Sequence, residues 1–152
     1  MPLFDANSTC PPNTDRSDYL VATGPSIAVV VGHLDLPTED PARLHPDHPN
    51  EPVWALIDTG AIESCIDDQL AQRLGLTVID QTKCSGVGGV TTHNVYLAYV
   101  DMPVIRFGQF GRFTGVHLVS GGQAHQVLLG RTFLQNVVMI YDGVQGVVTV
   151  AR

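Results

Sequence analysis

The sequence predicts one mainly β domain, arranged as a barrel or sandwich with little helix. Many short runs rich in valine and isoleucine are punctuated by glycine. Only "IDDQLAQRLGL" carries helical spacing over more than a turn or two. A length of 152 residues with 44% hydrophobic content suits a single core of ordinary size.

In chain order, residues 1–25 ("CPPNTDRSD", "TGPS") are polar and proline-containing, and are expected to form an N-terminal arm or loop. The domain proper spans 26–152. "SIAVVV", Ser26 to Val31, is a short β-branched strand. "LPTEDPARLHPDHPNEP" holds five prolines and many charges, so residues 37–52 are expected to form an exposed loop insertion. "VWALI", Val53 to Ile57, is continuously apolar and predicts a strand buried on both faces.

"IDDQLAQRLGL" then predicts a short helix. Asp67 is placed to cap it, Asp68 suits its positive end, and Ile66, Leu70 and Leu74 recur at a spacing of four. Gly75 is placed to end it. Strands are expected at "TVID", "CSGVGGV", "NVYLAYV", "GVHLV", "HQVLL", "VVMIY" and "GVVTV", with one or two helical turns at "GRTFLQN". No repeat or low-complexity segment interrupts the pattern.

The formal charge is −7, and Lys83 is the only lysine. No basic stripe exists to neutralise phosphates, which argues against nucleic acid or an anionic membrane as a partner. No apolar run has the length of a membrane span. Cys10, Cys65 and Cys84 are odd in number and widely spaced, a poor disulfide framework. The first residues lack a basic stretch followed by an apolar one. A cytoplasmic protein with free thiols is the expectation.

One place in the chain breaks the apolar rule. In "ALIDTGAIESCID" three apolar residues run directly into Asp58, and the chain then turns. A carboxylate at the end of a buried strand is costly unless it is held by hydrogen bonds or put to use. Asp58-Thr59-Gly60 suits use. Gly60 lets the backbone turn and its amide approach the acid, Thr59 can fix the loop through its hydroxyl, and Ala61 leaves room above. Hydrolysis of an amide by water needs one group to take a proton and another to give one. Two adjacent carboxyls do this by sharing a proton. The chain has no second Asp-Thr-Gly or Asp-Ser-Gly, and Asp142-Gly143 lacks the hydroxyl residue. A two-fold axis through the loop would supply the missing acid from a second copy.

Three segments carry a family resemblance. "ALIDTGA" resembles the active-site loop of the retropepsin-like aspartic proteases. "VLLGRTFL", Val127 to Leu134, is similar to their second signature, and "SGVGGV", Ser85 to Val90, to their glycine-rich flap tip, in the order the family requires. The resemblance covers roughly Ile27 to Val150. It implies a homodimeric, retropepsin-like closed β-barrel or sandwich with a flap hairpin, acting as an aspartic endopeptidase without cofactor or metal. Asp58, Thr59 and Gly60 would form the catalytic loop. Ala61, Ile62, Gly86, Val87, Gly88, Gly89, Val90 and Leu128 would face an extended peptide substrate. Arg131 would anchor the loop. The acidic partner expected just after the alanine is here Ile62, so Glu63 is the substitute partner for Arg131.

Other readings compete. A non-catalytic dimerisation or peptide-binding module could keep the same fold, although it would have no need of an acid at Asp58. Cys65 lies near the motif, but no sequence feature supplies its base. "HPDH", His45 to His48, lacks a fourth metal ligand. His33, His93, His117 and His125 show no ligand spacing and receive no role.

Overall fold

The structure is a computed structural model, and it describes residues 3–6, 9–33 and 51–152. Most of the proline-rich loop expected over 37–52, together with the His45–His48 motif, lies outside them. In chain order come β1 (Leu3–Asp5), α1 (Arg16–Thr23), β2 (Ser26–Gly32), β3 (Val53–Ile57), β4 (Ser64–Asp67), α2 (Asp68–Arg73), β5 (Thr77–Gly86) and β6 (Gly89–Met102). A 3₁₀ turn (Pro103–Ile105), β7 (Phe107–Val116), β8 (Val127–Leu129), α3 (Arg131–Leu134), β9 (Val138–Asp142) and β10 (Val147–Ala151) complete the chain. The fold is mainly β, as the strand pattern predicts.

The larger sheet closes on itself. Its order is β2-β3-β8-β4-β7-β6-β5, and β6 also pairs with β2 through Val30↔Asp101 to Gly32↔Tyr99. Six strands therefore form a barrel, and β5 extends outward from β6 as half of a long hairpin. Alternate residues point into the barrel. Ile27, Val29 and Val31 of β2, Ala55 and Ile57 of β3, Ala98 and Val100 of β6, and Val127 and Leu129 of β8 are all buried in one core cluster. Two parallel pairings, β3 with β8 and β4 with β7, lie on either side of the antiparallel β4–β8 contact. They bring the strand before Asp58 beside the strand before Arg131.

The second sheet has the order β1-β10-β9. Val148 and Val150 of β10 join the same core, and Arg152 stacks its guanidinium 4.4 Å from the centre of the Phe107 ring.

Several expectations need correction. Residues 1–25 are more than an arm or loop: β1 pairs with β10, and α1 is capped by Asp15, whose side chain accepts from Asp18 N at 3.0 Å. Leu20 carries α1 into the core, a burial that contributes roughly 1.5–3 kcal/mol. Arg16 pairs with Asp5, and Ser17 Oγ donates to the Gly143 carbonyl at 2.6 Å. The strand expected at "GVHLV" is the end of the longer β7, and Leu118 to Gly122 turn instead. β3 is not buried on both faces, since Trp54 is exposed and Leu56 half-buried while Ala55 and Ile57 are sealed. The predicted helix is shorter than its apolar spacing. Ile66 belongs to β4, and α2 begins after Asp67, whose carboxylate accepts from Leu70 N at 3.3 Å and from Val119 N at 3.1 Å.

Candidate active site

Asp58 follows β3 directly. Its amide donates to the Leu129 carbonyl of β8 at 3.0 Å, so two core strands fix its backbone. The chain then reverses, with the Ala61 amide donating to the Asp58 carbonyl at 3.3 Å and the Gly60 amide donating to Asp58 Oδ1 at 2.9 Å. One carboxylate oxygen is thus held by the loop's own backbone, as the Asp-Thr-Gly spacing predicts. Asp58 is half-buried, while Thr59 and Gly60 are exposed.

The loop is tied to the start of α3. The Arg131 and Thr132 amides donate to the Ala61 and Ile62 carbonyls, each at 3.0 Å, and the Gly130 amide donates to Ser64 Oγ at 3.0 Å. The Arg131 guanidinium reaches Thr59 O at 2.7 Å. Arg131 is therefore attached to the loop, but its partner differs from the expected one. Among the described residues no ion pair joins it to Glu63. Gly130 is obligatory here because a Cβ on it would stand 2.4 Å from the Glu63 carbonyl oxygen.

Around this loop, Leu56 and Leu128 are paired neighbours on β3 and β8, both half-buried, while Leu129 is core. Ala61 is half-buried, and Ile62 is 66% exposed. Gly86 to Val90 form the tip of the β5–β6 hairpin, with Gly86 opposite Gly89, Gly89 at φ 107° and Val87 fully exposed. Among the described residues no hydrogen bond joins this tip to the Asp58 loop. Cys65 sits on β4, paired with Leu128 and Thr114. Burial pushes its thiol up to about 11, helped by Cys84, Asp58 and Glu63 nearby. It stays protonated near neutrality, which removes it as a nucleophile. Among the described residues no three or more His, Cys, Asp or Glu side chains gather as a metal site would need.

A family model described as "Aspartyl protease" matches residues 47–133, from the end of the proline-rich segment through β8 into α3. The match spans more than half of the chain and includes both the Asp58 loop and the Gly130–Arg131 anchor. The chain belongs to the aspartyl protease family. Among solved structures it is similar to the EIAV protease complexed with the inhibitor HBY-793, at 19% identity and a TM-score of 0.47, over 74% of this chain and 86% of that one. A comparison with curated proteins returned no match.

Proposed function

We propose that the protein is a homodimeric aspartic endopeptidase in which the Asp58 carboxyls of two copies activate one water. The observation that carries this reading is the held carboxylate: Asp58 ends a core strand, and the Gly60 amide fixes one of its oxygens at 2.9 Å. A merely structural aspartate would be expected to serve as a cap, as Asp67 does, rather than stand half-buried in an exposed loop.

In the dimer one carboxylate takes a proton from water while the other, protonated, gives its own to the substrate's carbonyl oxygen. The water oxygen bonds to the carbonyl carbon and produces a neutral tetrahedral diol. Proton transfer to nitrogen then breaks the C–N bond. Both transfers use carboxyl groups of the protein, so the chemistry calls for no cofactor. The β5–β6 hairpin would fold over an extended peptide and exclude water, with Gly86 to Val90 presenting backbone for strand-like hydrogen bonds. Thr59, Ala61, Ile62 and Leu128 would line the cleft, and Arg131 would hold it open to the substrate by fixing the Thr59 carbonyl.

The second copy needs a surface. β9 is an edge strand of its sheet and directly follows α3, and it exposes Val138, Ile140 and Tyr141 in sequence. An apolar edge of that kind is a ready partner for its own copy.

The test is Asp58→Asn. Cleavage of an unfolded protein substrate should vanish while sedimentation still reports a dimer. Undiminished cleavage would exclude the mechanism. The rate of the unaltered protein should also fall as pH rises, because a doubly ionised pair has no proton to give.

A further inference from the structure

The β5–β6 hairpin outruns the barrel that carries it. The register between β6 and β7 runs from Met102↔Phe107 to Val95↔Thr114 and stops, whereas β5 and β6 stay paired as far as Gly86↔Gly89. Beyond Val95 the hairpin is a two-stranded ribbon, and such a ribbon has little stability of its own in water. Gly89 lies about 13 Å beyond His93 by strand rise, so a tilt of roughly 10° at His93 moves the tip by about 2 Å.

Just past the last rung, a side chain ties the ribbon to β7. His93 Nδ1 stands 2.8 Å from the Gly115 carbonyl oxygen, and its Nε2 stands 2.7 Å from Thr91 Oγ. Gly115 is a firm anchor. It pairs with Ile66 of β4, the strand that follows the Asp58 loop, and Asp68 and Tyr96 pack so closely on it that a Cβ would not fit. The link needs no particular charge on the ring. A carbonyl only accepts, so Nδ1 carries the hydrogen. Nε2 accepts from the Thr91 hydroxyl when the ring is neutral and donates to it when the ring is charged. In the second case the hydroxyl proton turns to the Cys84 carbonyl oxygen, 3.5 Å away on the facing strand.

We propose that His93 is a positioning residue: by fixing the hairpin root to β7, it sets where the tip at Gly86 to Val90 meets a peptide lying over Asp58. This rests on the proteolytic reading of Asp58, since only a bound peptide gives the tip something to meet. A tip released at its root must be ordered again at each binding event. That cost falls on substrate and transition state alike, so it raises KM and leaves kcat nearly unchanged.

The test compares the unaltered chain with His93→Leu, which has no donor, and with His93→Asn, whose amide nitrogen can take the place of Nδ1. Backbone hydrogen exchange follows the hairpin without any substrate. His93→Leu should speed exchange over residues 81–92 about tenfold and leave β2, β3 and β8 unchanged, and His93→Asn should restore most of the protection. In peptide cleavage His93→Leu should raise KM about tenfold with kcat within about twofold, and His93→Asn should bring KM back. Unchanged exchange in the hairpin, faster exchange spread through the barrel, an Asn variant no better than the Leu variant, or a KM that neither change moves would overturn the proposal. Should His93→Leu fail to fold, His93→Gln takes its place, because its longer amide reaches toward Thr91 and puts no donor where Nδ1 was. A localised exchange effect, reversed by His93→Asn, in a protein that cleaves no peptide would sink the proteolytic reading and leave the hairpin anchor standing.

Discussion

Gly130 touches the loop it supports so closely that its missing side chain is part of the site. Gly130→Ala should push residues 62 and 63 away, because a Cβ would press on the Glu63 and Ile62 carbonyls. We expect a loss of about 1–3 kcal/mol in denaturant unfolding, accompanied by reduced cleavage as Asp58 shifts. His125 gives a second prediction at this scale. Its folded pKa is lowered below the ordinary 6.5. The unfolded chain therefore binds more protons in that window, and stability from this group is lost as pH falls below about 6.5. A denaturation series across mildly acidic pH should show this slope, and His125→Phe should flatten it. The held turn at Asp58-Thr59-Gly60 was legible in the sequence because its hydrogen bond joins residues two apart. The partner of Arg131 was not, since a backbone carbonyl carries no side-chain signature. The hydrogen bond between Ser26 and His125 was also hidden: its members stand 99 residues apart, and only the β2-β3-β8 arrangement brings them together.

Among the elements, the hairpin of β5 and β6 was readable from its glycines: Val87 and Gly88 make the two-residue turn, and Gly89 directly after it has a φ of 107°. α1 was missed for a physical reason. Only Leu20 of its eight residues is buried, so no apolar stripe marks it, and its stability comes from a cap and from contacts with the C-terminal hairpin. β7 was read too late in the chain because glycines interrupt its apolar pattern. Gly115, for one, leaves space where Asp68 Oδ1 and Tyr96 Cε2 would meet a Cβ at 2.6 and 2.7 Å. The element with the sharpest test is β9. Ile140 is 61% exposed, so Ile140→Lys should cost the isolated fold little, within about 0.5 kcal/mol. If β9 is where copies meet, the same change should lower the sedimentation-measured dimer fraction at fixed concentration and reduce activity in parallel. A variant that stays dimeric and fully active would place the interface elsewhere.

For the whole molecule, the barrel explains why one acid can be positioned so firmly by so short a motif. β3 and β8 run parallel through the core, the loop leaves one and the anchor leaves the other, and the hydrogen bonds between them are mostly backbone. That closure depends on a strand order set by residues far apart in the chain, so the topology was expected only through a family likeness. The central claim is one of symmetry: each chain contributes one Asp58, and both are needed. It is tested most directly by equilibrating the unaltered protein with Asp58→Asn protein at constant total concentration and measuring peptide cleavage against the unaltered fraction. Random pairing predicts that activity falls as the square of that fraction. A fall in simple proportion would mean that a single Asp58 suffices, and would contradict the account.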